Sequence, residues 1–146
     1  MYSSIQELHS YWAFGVLFFL LIAVLNSFVG LGRNKPFVKN DRSIALIALI
    51  FSHVQLVIGL VLLFTSPWFA TAKEIGMGGV MKDSTLRLYL VEHPFVNIIA
   101  LTLITIGWSK HKKTDDAPKK FKFIGWFYVI GLVLLLSRLP WSAWLS

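Results

Sequence analysis

Long apolar runs separated by short charged segments dominate the pattern of this chain. Asp, Glu, Lys and Arg are absent from four stretches, residues 8–32, 43–72, 93–109 and 123–137. A helix that spans a bilayer needs roughly 20 mostly apolar residues, and in lipid only helices or closed barrels satisfy their backbone polar groups. Four strands are too few to close a barrel. The pattern therefore predicts four helices, near residues 4–31, 43–66, 84–109 and 121–139.

Composition supports a membrane protein over a soluble one. Of the 146 residues, 56% are hydrophobic and 14% are charged, whereas soluble domains have roughly 45–50% and 25%. A soluble domain of this size buries only part of its surface, so it could not bury this much apolar area. We predict an all-α, four-helix transmembrane bundle with up-down-up-down topology, formed by residues 1–146 as one domain in a lipid bilayer.

The basic residues indicate orientation. Loop one carries Arg33, Lys35, Lys39 and Arg42, and loop three carries Lys110, Lys112, Lys113, Lys119, Lys120 and Lys122. The N-terminus has only Glu7, and loop two is nearly balanced, with Lys73, Lys82 and Arg87 against Glu74 and Asp83. The positive-inside rule then places loops one and three in the cytoplasm and both termini outside. We take the membrane to be a bacterial inner membrane, and we read the net charge of +7 as topology and not as nucleic-acid binding.

Two further features exclude common kinds of site. The chain has no cysteine, which excludes disulfides, iron–sulfur clusters and covalent c-type haem attachment. The glycine-rich run at 76–79 has no strand before it and no Lys-Ser/Thr pair after it, as a phosphate-binding loop requires. This run predicts a flexible external loop.

Three histidines on predicted helices are the candidate functional residues, because ionisable groups inside a membrane are costly and rare. At about 1.5 Å per residue from the cytoplasmic end of each helix, His53 lies roughly 16 Å up, His93 roughly 25 Å and His9 roughly 32–36 Å. Arg138 lies near the level of His93. His111 lies among lysines in loop three, where we expect a solvated side chain.

Imidazoles from facing helices suit a b-type haem, which needs one or two axial histidines and an apolar slot. His9 with His93 is the first candidate pair, and His53 with His93 is equally plausible by height. Arg138 or Arg87 is the candidate cation for a haem propionate. A closed zinc site is disfavoured, since the usual ligand spacing is absent.

The segments around these histidines resemble a known group of proteins. They are Leu-His-Ser at 8–10, Ser-His-Val-Gln at 52–55, Glu-His at 92–93, Ile-Gly-Trp-Ser-Lys at 106–110 and Leu-Pro-Trp at 139–141. The chain resembles small bacterial four-helix membrane proteins labelled cytochrome b-like, and is also similar to one four-helix half of haem A synthase. The resemblance implies haem binding. Pro94, and the lack of an arginine soon after His9, depart from the pattern.

The sequence thus predicts a membrane-embedded haem b protein that transfers electrons, with quinone or a larger membrane complex as its partner. Its axial ligands would come from His9, His53 and His93, with Arg138 beside a propionate. One alternative is a non-catalytic accessory subunit of a larger membrane complex, in which the histidines hydrogen-bond between helices. A proton or metal conduit is a weaker alternative, because no acidic residue lies deep in a span.

Overall fold

The computed structural model describes residues 2–141, which form helices and, within that range, no strand. The helices are α1 (Tyr2–Gly32), α2 (Lys39–Thr65), α3 (Pro67–Lys82), α4 (Ser84–Lys112) and α5 (Ala117–Ser137). The prediction for the two chain termini also concerns residues 1 and 142–146, which lie outside the described residues.

Four of these helices, α1, α2, α4 and α5, are long and apolar enough to cross a membrane. The all-helical prediction and the four long apolar helices are therefore confirmed. Three of the helices run further into the charged segments than their predicted bounds, since α2 begins at Lys39, α4 ends at Lys112 and α5 begins at Ala117. Long basic side chains tolerate such positions because their apolar stems lie along the helix while the charged group reaches water.

The external loop predicted around residues 76–79 is wrong, because this segment belongs to helix α3. Ser66 caps α3 by accepting a hydrogen bond from the Trp68 backbone N–H at 3.1 Å, and Pro67 suits the first helical position. Gly76 interrupts the helix with φ of 75°, a conformation that favours glycine. The glycine therefore bends the helix where the sequence suggested irregular chain.

The four long helices pack in a closed ring, in which α1 contacts α2 and α5, and α4 also contacts α2 and α5. Leu20, Ile104 and Tyr128 are fully buried at its centre. Large apolar side chains on the outer faces are exposed, including Phe18, Leu21, Leu25, Val29, Val57, Val61, Phe64, Phe95, Ile98, Ile130 and Val133. An apolar exterior of this kind fits a surrounding of lipid.

Small residues bring α4 and α5 close together. A Cβ added at Gly107 would lie 2.5 Å from Cβ of Phe127, and one added at Gly131 would lie 2.7 Å from Cγ1 of Ile104. Close approach at small residues is a common way for helices to associate in membranes. The packing of this helix pair therefore depends on glycine.

One end of the bundle, formed by residues 33–42 and 110–122, is called the basic end below. Its central polar group is the buried carboxylate of Asp41, which accepts hydrogen bonds from Lys35 Nζ at 2.6 Å, Val38 N at 2.8 Å and Asn26 Nδ2 at 3.0 Å. Because Asn26 lies on α1, this carboxylate ties the end of α1 to the start of α2.

Candidate functional site

His9 and His93 meet at the other end of the bundle, although their helices are not neighbours in the ring. The centroids of their rings are 6.2 Å apart and the ring planes are inclined by 86°. His9 lies near the start of α1 and His93 near the start of α4. The structure thus brings together the first of the two pairs that the sequence left open. We call this region, with His9, Gln55, His93 and Arg138, the histidine end.

A cavity of about 590 Å³ lies at the histidine end and is lined by both histidines. This volume falls in the range of roughly 300–1,000 Å³ that ligand pockets occupy. Most of the lining surface is apolar, with aliphatic contributions from Val16, Leu17, Leu56, Leu60, Leu101 and Leu135, but many lining residues also carry polar groups. A mainly apolar surface with convergent polar groups is the usual form of a small-molecule or cofactor site.

Two hydrogen bonds fix the ring of His93. Its Nδ1 lies 2.9 Å from the backbone carbonyl oxygen of Arg138, and its Nε2 lies 3.1 Å from Nδ2 of Asn97. A carbonyl oxygen only accepts hydrogen bonds, so Nδ1 carries the proton and the neutral ring has its lone pair on Nε2. A backbone carbonyl that orients a histidine in this way is typical of metal-ligating imidazoles.

A turn of π-helix immediately precedes His93 and sets its direction. Residues Leu88–Glu92 form this turn, and the N–H of His93 donates to the carbonyl of Leu88. Pro94 lacks an N–H, and its ring would clash with the carbonyl four residues earlier in a regular α-helix. The wider turn accommodates the proline without ending the helix. Such π-turns occur frequently at functional sites.

His9 is held against α2. Nε2 of Gln55 donates a hydrogen bond of 2.8 Å to the backbone carbonyl of His9. A Cβ added at Gly59 would lie 3.1 Å from Cε1 of the His9 ring, so the absence of a side chain at Gly59 leaves room for the imidazole. Gln55 and Gly59 are one helical turn apart and therefore act on the same side of His9.

Three buried polar atoms around the cavity lack a hydrogen-bond partner within residues 2–141: Nδ1 of His9, Oε1 of Gln55 and Oδ1 of Asn97. All three residues line the cavity. Buried polar atoms are normally satisfied, and each exception in a folded protein calls for an explanation. A bound molecule or ordered water in the cavity would supply the missing partners.

Arg138 contributes its backbone and its charge at different places. Its carbonyl accepts from His93, whereas its Nε lies 3.6 Å from Oε1 of Glu92. The other oxygen of Glu92 accepts a 2.8 Å hydrogen bond from Nε of Arg87. Arg87 and Arg138, the two candidates to contact a haem propionate, therefore both contact the carboxylate of Glu92, the residue before His93.

His53 lies apart from this pair. Its side chain is exposed and does not line the cavity. Its Nδ1 lies 2.8 Å from the carbonyl oxygen of Leu49, and its Nε2 lies 3.3 Å from Oγ1 of Thr105 on α4. Within residues 2–141, no three His, Cys, Asp or Glu side chains are grouped to hold a metal ion. The site therefore offers two imidazoles, from His9 and His93.

No protein-family model, no curated protein and no solved structure matches this chain. The cytochrome b-like resemblance therefore stays a prediction.

The structure corrects the prediction for His111, which is 1% exposed and not solvated. Its ring packs against Phe37 and Trp108, with centroid separations of 5.5 and 4.5 Å. Charged neighbours in the sequence suggested a loop, but α4 continues through Lys112 and turns His111 inward. The sequence signal for a buried His111 was Trp108, which precedes it by one helical turn. Phe37 is the second apolar residue that packs against the ring.

Proposed function

We propose that this protein is a membrane-embedded b-type haem-binding protein that transfers electrons. The observation that carries the proposal is the approach of His9 and His93 from two helices beside a largely apolar cavity. The ring centroids are 6.2 Å apart, so two imidazoles from different helices would be within reach of one bound group.

The residues present fit a haem at this site. His9 offers a buried Nδ1 without a partner in the described residues, and His93 is oriented through Nδ1 by the Arg138 carbonyl. For Nε2 of His93 to bind iron, the amide of Asn97 must release it. Arg87 and Arg138 are the nearby cations, but both contact Glu92 and neither lines the cavity, so a propionate would have to compete with that carboxylate. When bound, haem supplies reversible one-electron transfer, while the protein sets its ligands and surroundings.

The proposal includes the membrane arrangement. We infer that α1, α2, α4 and α5 cross a bacterial inner membrane with up-down-up-down topology, both termini outside and the basic end in the cytoplasm. Contacts at both ends of the α1–α2 pair support an antiparallel arrangement of these two helices. Tyr2 at the start of α1 contacts Ser66 just after α2 at 3.4 Å, and Asn26 near the end of α1 contacts Asp41 near the start of α2 at 3.0 Å. The charge difference supports the orientation.

The test is an absorption spectrum of protein purified from cells expressing it with ample haem. We expect a Soret band, and we expect reduction to sharpen the visible bands as in other low-spin b-type haems. The double variant His9→Ala/His93→Ala should lose at least tenfold of the Soret absorbance per protein. His53→Ala is the matched control and should stay within twofold of the wild type.

Two results would overturn the haem proposal. One is the absence of a Soret band in well-folded wild-type protein after expression with ample haem. The other is equal haem content in the double variant and the wild type. Loss of haem in His53→Ala alone would instead move the ligand assignment to His53.

A second candidate function is a non-catalytic accessory subunit of a larger membrane complex. The observation in its favour is that two of the three histidines already have partners within the chain, since both ring nitrogens of His93 are in hydrogen-bond contact and His53 on α2 contacts Thr105 on α4. This function predicts that replacing His9, His53 and His93 together by Ala leaves assembly with the complex nearly intact. Loss of a pigment in that variant would contradict it.

A further inference from the structure

The entire net charge of the chain lies at the basic end. Residues 33–42 and 110–122 contain ten Lys or Arg and three Asp, so they account for the whole net charge of +7. The other four basic residues are balanced by four Glu or Asp. Although helix orientation explains an excess of basic residues, it leaves open what the individual cations contact.

Five of the ten basic residues at this end lie over aromatic rings, and in the described residues four of these five are not ion-paired to a carboxylate. The cation–ring pairs are Lys35 with Phe121, Arg42 with Trp108, Lys110 with Phe123, Lys112 with Trp108 and Lys120 with Phe37. Among the described residues, the single ion pair at this end joins Lys35 to Asp41. Rings that hold cations at the ends of apolar helices place positive charge at the level where lipid phosphates lie.

Two of these cations converge on one indole. The guanidinium carbon of Arg42, on α2, lies 5.1 Å from the centroid of the Trp108 ring, and Nζ of Lys112, on α4, lies 5.9 Å from it. Both residues are exposed, and within residues 2–141 neither is in ion-pair contact with a carboxylate. Two exposed cations near one ring, without a carboxylate partner in the described residues, leave positive charge that an anion within reach of both would balance.

We propose that Arg42 and Lys112, with Trp108 between their helices, form a binding site for the phosphate of an anionic phospholipid headgroup. Arginine pairs with two phosphate oxygens through its planar fork, and lysine contributes a compact charge. The Trp108 indole is buried between the helices, so it holds the two cations in place without itself facing lipid. Basic pockets between membrane helices bind anionic headgroups by the same chemistry.

The inference rests on the proposed membrane insertion of the four helices and is independent of haem. Membrane insertion is checked separately, by whether the protein stays in the membrane fraction after alkaline carbonate and leaves it with detergent. Failure of that check removes the membrane proposal. Failure of lipid binding in an inserted protein removes the headgroup site alone.

The test measures lipid binding by native mass spectrometry of the detergent-purified protein with added phosphatidylglycerol or phosphatidylcholine. We expect phosphatidylglycerol to bind at least tenfold more tightly than phosphatidylcholine. Each basic residue near an anionic lipid is worth about fivefold in binding. The double variant Arg42→Gln/Lys112→Gln should therefore weaken phosphatidylglycerol binding about 25-fold.

The matched control is Lys73→Gln/Lys82→Gln, which removes the same charge from α3. It should change phosphatidylglycerol binding less than twofold. Equal binding of the two lipids by the wild type, or equal losses in the two double variants, would overturn the site. If the Arg42→Gln/Lys112→Gln variant does not fold, wild-type binding at low and high salt replaces it. Salt-insensitive phosphatidylglycerol binding then overturns the site, since exposed charge pairs are screened.

A separate arm uses inorganic phosphate as the probe. Millimolar phosphate should not displace bound phosphatidylglycerol, because the free ion lacks the acyl chains that hold a phospholipid against the apolar outer faces of the helices. Displacement by phosphate at that concentration would show a site for the free ion and overturn the lipid assignment. Displacement by an acidic protein or by nucleic acid at micromolar concentration would do the same.

Discussion

At the basic end, aromatic rings fill the space between the helices, whereas at the histidine end a cavity remains. Phe121 is 1% exposed, and its ring occupies the space that a Cβ on Gly30 would need. Further into the bundle, the Tyr128 hydroxyl donates to the Ala45 carbonyl at 2.9 Å. At the histidine end, Gln55 and Asn97 each keep a buried polar atom without a partner in the described residues.

The two ends also carry charge differently. Asp41 at the basic end is buried and has three hydrogen-bond donors around it. Glu92 at the histidine end is about one-third exposed and contacts Arg87 and Arg138. The comparison indicates that the basic end supplies stability, while the histidine end leaves polar groups and volume for a ligand.

Removing the buried charge at the basic end should have the largest effect on stability. In Asp41→Asn, Lys35 loses its counter-ion and Val38 N–H loses its charged acceptor, so we expect a loss of about 3 kcal/mol in the free energy of unfolding. The measurement is an SDS titration of the protein in mixed micelles, followed by tryptophan fluorescence.

Two carboxylates serve as comparisons for Asp41→Asn. Asp115→Asn makes the same chemical change at an exposed position and should cost less than about 0.5 kcal/mol. Glu92→Gln breaks two partly exposed ion pairs and should cost at most about 1 kcal/mol. A loss in Glu92→Gln as large as that in Asp41→Asn would contradict the contrast between the ends.

Filling a helix contact should have the next largest effect. In Gly107→Ala the new methyl group would overlap Cβ of Phe127 and lie 2.9 Å from the carbonyl oxygen of Phe123. Because neither atom belongs to the mobile end of a side chain, α4 and α5 must separate, and we expect a cost of about 2 kcal/mol. The same titration measures it.

Gly78→Ala is the matched control, since a Cβ there has nothing within 4 Å. It should leave the unfolding free energy unchanged or raise it slightly, because alanine favours helix over glycine. Equal destabilisation by the two substitutions would show that the close approach of α4 and α5 does not determine stability.

The long helices could be predicted from the sequence because the bilayer requires long apolar runs, and such runs are visible without an alignment. Helix ends were less predictable. Because Lys39 and Lys112 are charged, the sequence pattern placed both residues in loops, yet both belong to helices. Helix α3 was missed because its three glycines weaken the helical signal, while Ser66 and Pro67 at its start went unused as a start signal.

The candidate site was predictable in its residues and less so in its geometry. Counting residues along straight helices separated His9 and His93 by roughly 10 Å in height, whereas their ring centroids are 6.2 Å apart. Counting could not include the further residues of α4 at the basic end, where the helix continues to Lys112 and so lengthens the stretch below His93. The carbonyl of Arg138 was also out of reach, since a sequence shows side chains and not which backbone group faces a ring.

Carbon monoxide binding to the reduced, haem-loaded protein tests most directly whether His9 and His93 are both axial ligands. With two imidazoles in place, the wild type and His53→Ala should show little or no carbon monoxide difference spectrum. His9→Ala and His93→Ala each leave one axial position open, and any haem they retain should bind carbon monoxide fully. A wild type that binds carbon monoxide as completely as these variants would contradict the paired-histidine site.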